Sequence, residues 1–68
     1  MIVNRVSSLL YELDVSAYEF ARRCGIREAT VYDLKNDPYR FPGKVTIDRI
    51  VSTYGVKIED IIQWVPDK

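Results

Sequence analysis

The sequence predicts an all-α fold, a compact bundle of five short helices in which the second and third form a helix-turn-helix. Three observations carry that expectation. Residues 16–36, SAYEFARRCGIREATVYDLKN, read as two helices joined by a tight turn at Gly25. Apolar residues on either side of this segment recur at helical rather than alternating spacing. Finally, 68 residues with 47% hydrophobic content predict one domain with one core, for which a helical bundle is the economical solution.

The first helix is expected over about Val3 to Leu13, where Val3, Val6, Leu10 and Leu13, flanked by Leu9, trace one apolar stripe. Asp14, Val15 and Ser16 make a short connection. Ser16 is placed to accept the backbone N–H three residues on, and Glu19 to return the bond as a capping box, so the second helix starts near Ala17. Phe20 and Ala21 form its apolar edge and Cys24 its end. Gly25 then adopts the left-handed conformation that terminates a helix at little steric cost. Beyond the bend Ile26, Val31 and Leu34 face the core, while Arg27, Glu28, Ala29, Tyr32 and Asp33 fall on the other side. The third helix stops before Pro38, because the residue preceding a proline disfavours the α conformation. Residues 37–44, DPYRFPGK, form a loop. A fourth helix opens at Thr46 or the residue before it, buries Ile47, Ile50, Val51 and Tyr54, and closes at Gly55. A fifth is expected from about Ile58, carrying Ile61, Ile62 and Val65 ahead of Pro66.

Composition argues against catalysis. The chain has no histidine, the usual general base near neutral pH, so Ser-His-Asp and Cys-His sites are excluded. Cys24, the single cysteine, has no histidine partner for a zinc set and reads as a small core residue. No carboxylate recurs in a metal-loop or phosphate-loop pattern, and no cofactor is implied. One cysteine allows no intrachain disulfide, and the first helix interrupts its apolar residues with Asn4, Arg5, Ser7, Ser8 and Glu12, unlike a signal peptide. With no run of transmembrane length, these features predict a cytoplasmic protein.

Ten basic and ten acidic residues cancel, which counts against nucleic-acid binding until their distribution is considered. Between Arg22 and Lys44 six basic residues face three acidic ones, a surplus of three, whereas both flanks are net acidic. Positive charge is concentrated around the third helix and the loop after it. That region reads either as an ordinary solvated surface or as an electrostatic footprint for an anion.

The residues Glu19, Ala21, Gly25, Ile26, Thr30, Val31, Leu34 and Asn36 resemble the Cro/C1-type helix-turn-helix family, also called lambda-repressor-like or XRE-like. The later stretches TIDRIV to YGV, residues 46–56, and DII, residues 60–62, extend the likeness from about residue 2 to residue 65. The resemblance implies a single domain over residues 1–68 that binds duplex DNA sequence-specifically as a transcriptional regulator, most simply a repressor, bacterial or phage-encoded and associated with the nucleoid. Its third helix, about residues 27–36, would enter the major groove while the second crosses the phosphate backbone with its amino end, at Ser16 and Ala17, toward a phosphate.

By position, Arg27, Glu28, Ala29, Tyr32 and Asp33 would meet base edges. Arg27 suits a guanine O6/N7 edge or a phosphate, Glu28 the cytosine amino group and Ala29 a thymine methyl. Arg27 also fits a helix cap, Tyr32 a place over the loop, and Asp33 an ion pair or a repulsion of phosphate. Arg40 and Lys44, with Lys35 and Arg22, would neutralise phosphates. Ile61, Trp64 and Val65 lie where family members dimerise, and a twofold dimer would set two reading helices about 34 Å apart on an inverted-repeat operator. No small-molecule ligand or membrane partner is implied.

Two departures from the family pattern stand out. An ion pair common in the family falls on Leu10 and Lys35, and a glycine usual after the third helix is Asp37, followed by Pro38. The alternative reading is a protein-interaction module on the same fold, antitoxin-like or antirepressor-like, for which Tyr11, Tyr18, Tyr32, Tyr39, Phe41 and Trp64 supply aromatic surface. Trp64 is expected to fold over the first helix.

Overall fold

Local punctuation sets most of the helix ends in the computed structural model, which describes residues 1–66. The elements run β1 (Ile2–Asn4), α1 (Val6–Leu13), α2 (Ala17–Cys24), α3 (Glu28–Asn36), α4 (Lys44–Tyr54), a single 3₁₀ turn (Ile58–Asp60) and β2 (Ile62–Trp64). The Ser16 hydroxyl accepts the Glu19 N–H at 3.1 Å and opens α2 as expected. The return bond of a capping box is replaced by an ion pair between the Glu19 carboxylate and Arg23, one turn on.

Gly25 closes α2 at φ 68°, a left-handed conformation that costs an L side chain about 1–2 kcal/mol. Its carbonyl accepts from Arg49 Nη1 of α4 at 2.8 Å, so the turn is also tied from outside the motif. α3 stops at Asn36, and Asp37 adopts an extended conformation (φ −130°, ψ 97°) that needs no glycine. This accounts for the departure at position 37. α4 starts at Lys44, ahead of the expected Thr46, because Gly43 serves as its N-cap and Pro42 is buried just before it.

The expectation of five helices and an all-α fold is corrected at both ends of the chain. Among the described residues there are four α-helices and one small sheet. Ile2, Val3 and Asn4 pair antiparallel with Trp64, Gln63 and Ile62 respectively. Val3 lies three residues before Val6, so it fits a helical stripe, yet its β-branched neighbourhood finds a partner strand instead. Helix α1 starts only after Asn4, whose carboxamide oxygen accepts the Val6 N–H at 3.1 Å.

At the other end the expected fifth helix is one 3₁₀ turn. The Asp60 carboxylate accepts the Lys57 N–H at 3.0 Å, and the Ile61 N–H returns to the Ile58 carbonyl at 2.9 Å. The β-branched run Ile61-Ile62 then extends rather than coils. The Arg5 N–H donates to the Ile61 carbonyl at 2.6 Å and the Val65 N–H to the Met1 carbonyl at 2.8 Å, continuing the sheet at both ends.

The core gathers Val6, Leu9 and Leu10 of α1, Ala17, Phe20, Ala21 and Cys24 of α2, Val31 and Leu34 of α3, Ile50 of α4, and Ile61. Ile47, Val51 and Tyr54 pack half-buried against it from α4, the face assigned to that helix. Phe20 and Tyr54 stack with ring centroids 5.4 Å apart and planes inclined by 8°, locking α2 to α4.

The Tyr54 hydroxyl is buried and makes no hydrogen bond of good geometry. Burial foremost, then the neighbouring Cys24, pushes its ionisation above the ordinary value of 10.0. Burial likewise pushes the Cys24 thiol above 9.0, against a hydrogen bond with Thr53 that works the other way. Both groups are neutral when protonated, so the folded chain holds these protons more tightly than the unfolded chain. Their contribution is complete below the ordinary values and is lost as pH rises through the folded ones. The melting temperature should therefore be level between about pH 7 and 8 and decline above about pH 9. Tyr54→Phe, which removes a buried hydroxyl that has at best a poorly aligned contact with Arg23, should melt near or above the parent at neutral pH and decline less steeply. An identical alkaline decline in both proteins would contradict this assignment.

Candidate nucleic-acid interface

Helix α3 is a short scaffold with one buried edge. Val31 and Leu34 are inside, while Arg27, Glu28, Ala29, Tyr32 and Asp33 are all exposed on the side away from the core. The buried pair sets the rotation of the helix, and that rotation presents the five side chains together. Arg27 occupies the N-cap position without a side-chain capping bond, so its guanidinium is not consumed by the helix end.

Several of these side chains have partners already. Asp33 lies 3.9 Å from the Arg40 guanidinium, drawing the loop after α3 toward the helix face. Both side chains are more than half exposed, so this is a weak, screened contact that phosphate competes with readily. The Lys35 ammonium sits 5.8 Å from the Tyr32 ring centroid, a cation–π contact between neighbouring turns. Tyr32 therefore pairs with a cation on its own helix. Leu10 is in the core, so the ion pair common in the family between the first and third helices has no counterpart here.

At the amino end of α2 the Ser16 hydroxyl accepts the Glu19 N–H and keeps its own proton to donate, while Ala17 is buried, so an anion there would meet the Ser16 hydroxyl and backbone N–H groups but not the Ala17 side chain. Arg22, one turn further, donates to the Tyr18 hydroxyl at 3.2 Å and lies 5.8 Å from that ring. Ser16, Tyr18, Glu19, Arg22 and Arg23 line one surface depression. Lys44 is the first residue of α4 and is exposed, where the positive end of the helix dipole disfavours a cation but favours an anion held jointly. It also edges an apolar groove made by Val45, Ile47, Val51 and Ile58.

The expected dimer residues separate. Ile61 is completely buried and cannot form part of a surface, a correction that follows from its place beneath the sheet. Val65 is half-buried. Trp64 does not fold over α1; it is 67% exposed on β2, near Ile2 and Ile58, which are also exposed.

Two residues that position this face escaped the sequence reading. Arg49 ties α4 to the turn of the motif through the Gly25 carbonyl, 24 residues away, and nothing local in the sequence signals it. Asn4 is buried and its amide nitrogen donates to the carbonyls of Asp37 and Arg40 at 2.9 and 2.8 Å. An asparagine two residues ahead of the apolar run that opens α1 is the one local hint.

Two helices meeting at a left-handed glycine, the second exposing a mixed polar face beside a basic loop, define a helix-turn-helix domain of the DNA-binding class. The model of the Cro/C1-type HTH DNA-binding domain matches residues 5–67. The chain belongs to that family, a family of non-enzymatic DNA-binding regulators. None of the curated proteins compared with it matched. No helix among the described residues is long and apolar enough to cross a membrane.

Proposed function

We propose that the chain is a sequence-specific regulator, a repressor in its simplest form, that reads duplex DNA with α3 in the major groove and acts as a homodimer in the cytoplasm. The observation that carries this reading is the uninterrupted exposure of Arg27, Glu28, Ala29, Tyr32 and Asp33 on a helix whose other edge is core. Adjacent side chains that the core leaves exposed are what a base-reading surface needs, Asp33 standing among them as the one whose carboxylate, beside Arg40, opposes phosphate unless it meets a base. Arg27 and Glu28 lead the contacts, and Ala29 offers a methyl-sized surface to thymine. Arg40, Lys44, Lys35 and Arg22 are the phosphate ligands, with the backbone at Ser16 and Ala17 taking one phosphate at the start of α2.

On this reading the dimer surface lies around Trp64 and Val65, a proposal supported by the exposure of Trp64, Ile2 and Ile58. A twofold arrangement would present both copies of α3 to one side of an inverted-repeat site. Selection of bound sequences from a random duplex pool tests recognition and symmetry together. An inverted repeat with half-sites one helical turn apart is expected. Within such a site Glu28→Ala should alter preference at one base pair per half-site by about 1–3 kcal/mol, whereas Arg40→Ala should weaken all duplexes equally. A uniform loss in both variants would remove Glu28 from the reading set.

The second reading, a protein-interaction module, is favoured by the exposure of Tyr11, Tyr18, Tyr32, Tyr39, Phe41 and Trp64. It takes over if fluorescence anisotropy finds no duplex binding even at low salt.

A further inference from the structure

Asn4 is the one buried polar side chain among the described residues, and its carboxamide is fully engaged. The Nδ2 group donates to the Asp37 and Arg40 carbonyls, Oδ1 accepts the Val6 N–H, and the Asn4 backbone N–H donates to the Pro38 carbonyl at 2.7 Å. Burial of an amide is unfavourable unless its bonds are made, so the group earns its place only through these partners. The partners are informative. Residues 37–40 contain a proline and follow a helix end, so their carbonyls have no helical donor, and one planar NH₂ group satisfies two of them at once.

The turn is closed on itself as well. The Arg40 N–H returns to the Asp37 carbonyl at 3.1 Å, and the Tyr39 N–H donates to Asp37 Oδ1 at 3.0 Å. A rigid turn held by Asn4 therefore carries Arg40, whose guanidinium reaches the Asp33 side of α3. Because Asn4 is also the last residue of β1, paired with Ile62, the terminal sheet fixes where this cation stands.

We propose that Asn4 is a positioning residue for DNA binding: it touches no DNA, and it sets the turn that delivers Arg40 to a phosphate beside the reading helix. The inference rests on the DNA-binding reading above. Asn4→Asp isolates the role, since the carboxylate keeps the acceptor for Val6 but loses both donors to the turn. The probe is a mixed-sequence duplex, titrated by fluorescence anisotropy across a salt series, with circular dichroism melts in parallel.

The folded Asn4→Asp variant is expected to bind several-fold more weakly, with a salt slope shallower by about one per bound copy, as for Arg40→Ala. The double variant should bind no more weakly than Arg40→Ala alone, because both changes remove one contact. Parent-like affinity and slope in folded Asn4→Asp, or losses that multiply in the double variant, would overturn the inference alone. Failure of the unaltered chain to bind any duplex at low salt overturns the DNA reading and this inference with it. Should Asn4→Asp not fold, Asn4→Ser takes its place, a neutral side chain whose single O–H cannot donate to both turn carbonyls, with the same expected and overturning outcomes.

Discussion

Phe20→Ala should cost the protein about 3–5 kcal/mol, a third or more of its folding free energy. Phe20 is 1% exposed, fills the contact between α2 and α4, and stacks on Tyr54. Truncating a buried phenylalanine costs about 3–5 kcal/mol, the lost transfer energy plus the cavity left behind. A domain of this size has roughly 3–10 kcal/mol in total. The cavity would open between α2 and α4, where Tyr54 loses its stacking partner. Urea unfolding followed by circular dichroism measures the loss. Tyr11→Ala is the matched control, since Tyr11 is 87% exposed on α1 and its removal should stay within about 0.5 kcal/mol of the parent. If Phe20→Ala instead melted with the control, the core would not be centred on α2.

The same residues show why some of this fold could be read from the sequence and some could not. Ser16, Gly25, Pro38 and Gly55 act within a few residues of themselves, through a capping hydroxyl, two left-handed glycines and a proline's steric clash. Their consequences are local, so α2, α3 and the end of α4 fall where the sequence places them. The strands obey a different logic. Ile2–Asn4 and Ile62–Trp64 are stable only against each other, across nearly the whole chain, and neither run is long enough for alternation to stand out from a helical stripe. Val3 and Ile62 satisfied the helical pattern because three residues of either structure can.

The candidate site divides along the same line. The exposure of Arg27 to Asp33 follows from burial of Val31 and Leu34 on one helix and is a local matter of periodicity. The pairings that tune the face are not. Asp33 with Arg40 bridges a loop containing two prolines, Arg49 reaches Gly25 from α4, and Asn4 reaches the turn at 37–40 from the first strand. Ile61 departs for another reason: the family resemblance places it with Trp64 and Val65 on a dimer surface of a fifth helix, but the chain extends there instead and Ile61 is completely inside.

Duplex affinity is expected to fall by about 10³–10⁵ between 50 and 200 mM salt for two copies bound at one site, as is usual for 6–10 phosphate contacts. On the proposed reading each copy would bring Arg22, Lys35, Arg40 and Lys44 to phosphates, and the loss would come from counterions released at those contacts. Net charge does not enter the count, so a chain with ten basic and ten acidic residues still shows a steep slope if the cations are gathered at one face. Lys44→Ala or Arg40→Ala should each flatten the slope by about one per copy. Asp33 makes the opposite test. Its carboxylate lies 3.9 Å from Arg40 in the free protein, so where Arg40 engages a phosphate that carboxylate also faces the polyanion. Asp33→Asn should therefore tighten binding to every duplex while leaving sequence preference unchanged. A change confined to one base pair would instead make Asp33 a reading residue, and a salt slope near −1 for the parent would place the basic loop away from DNA altogether.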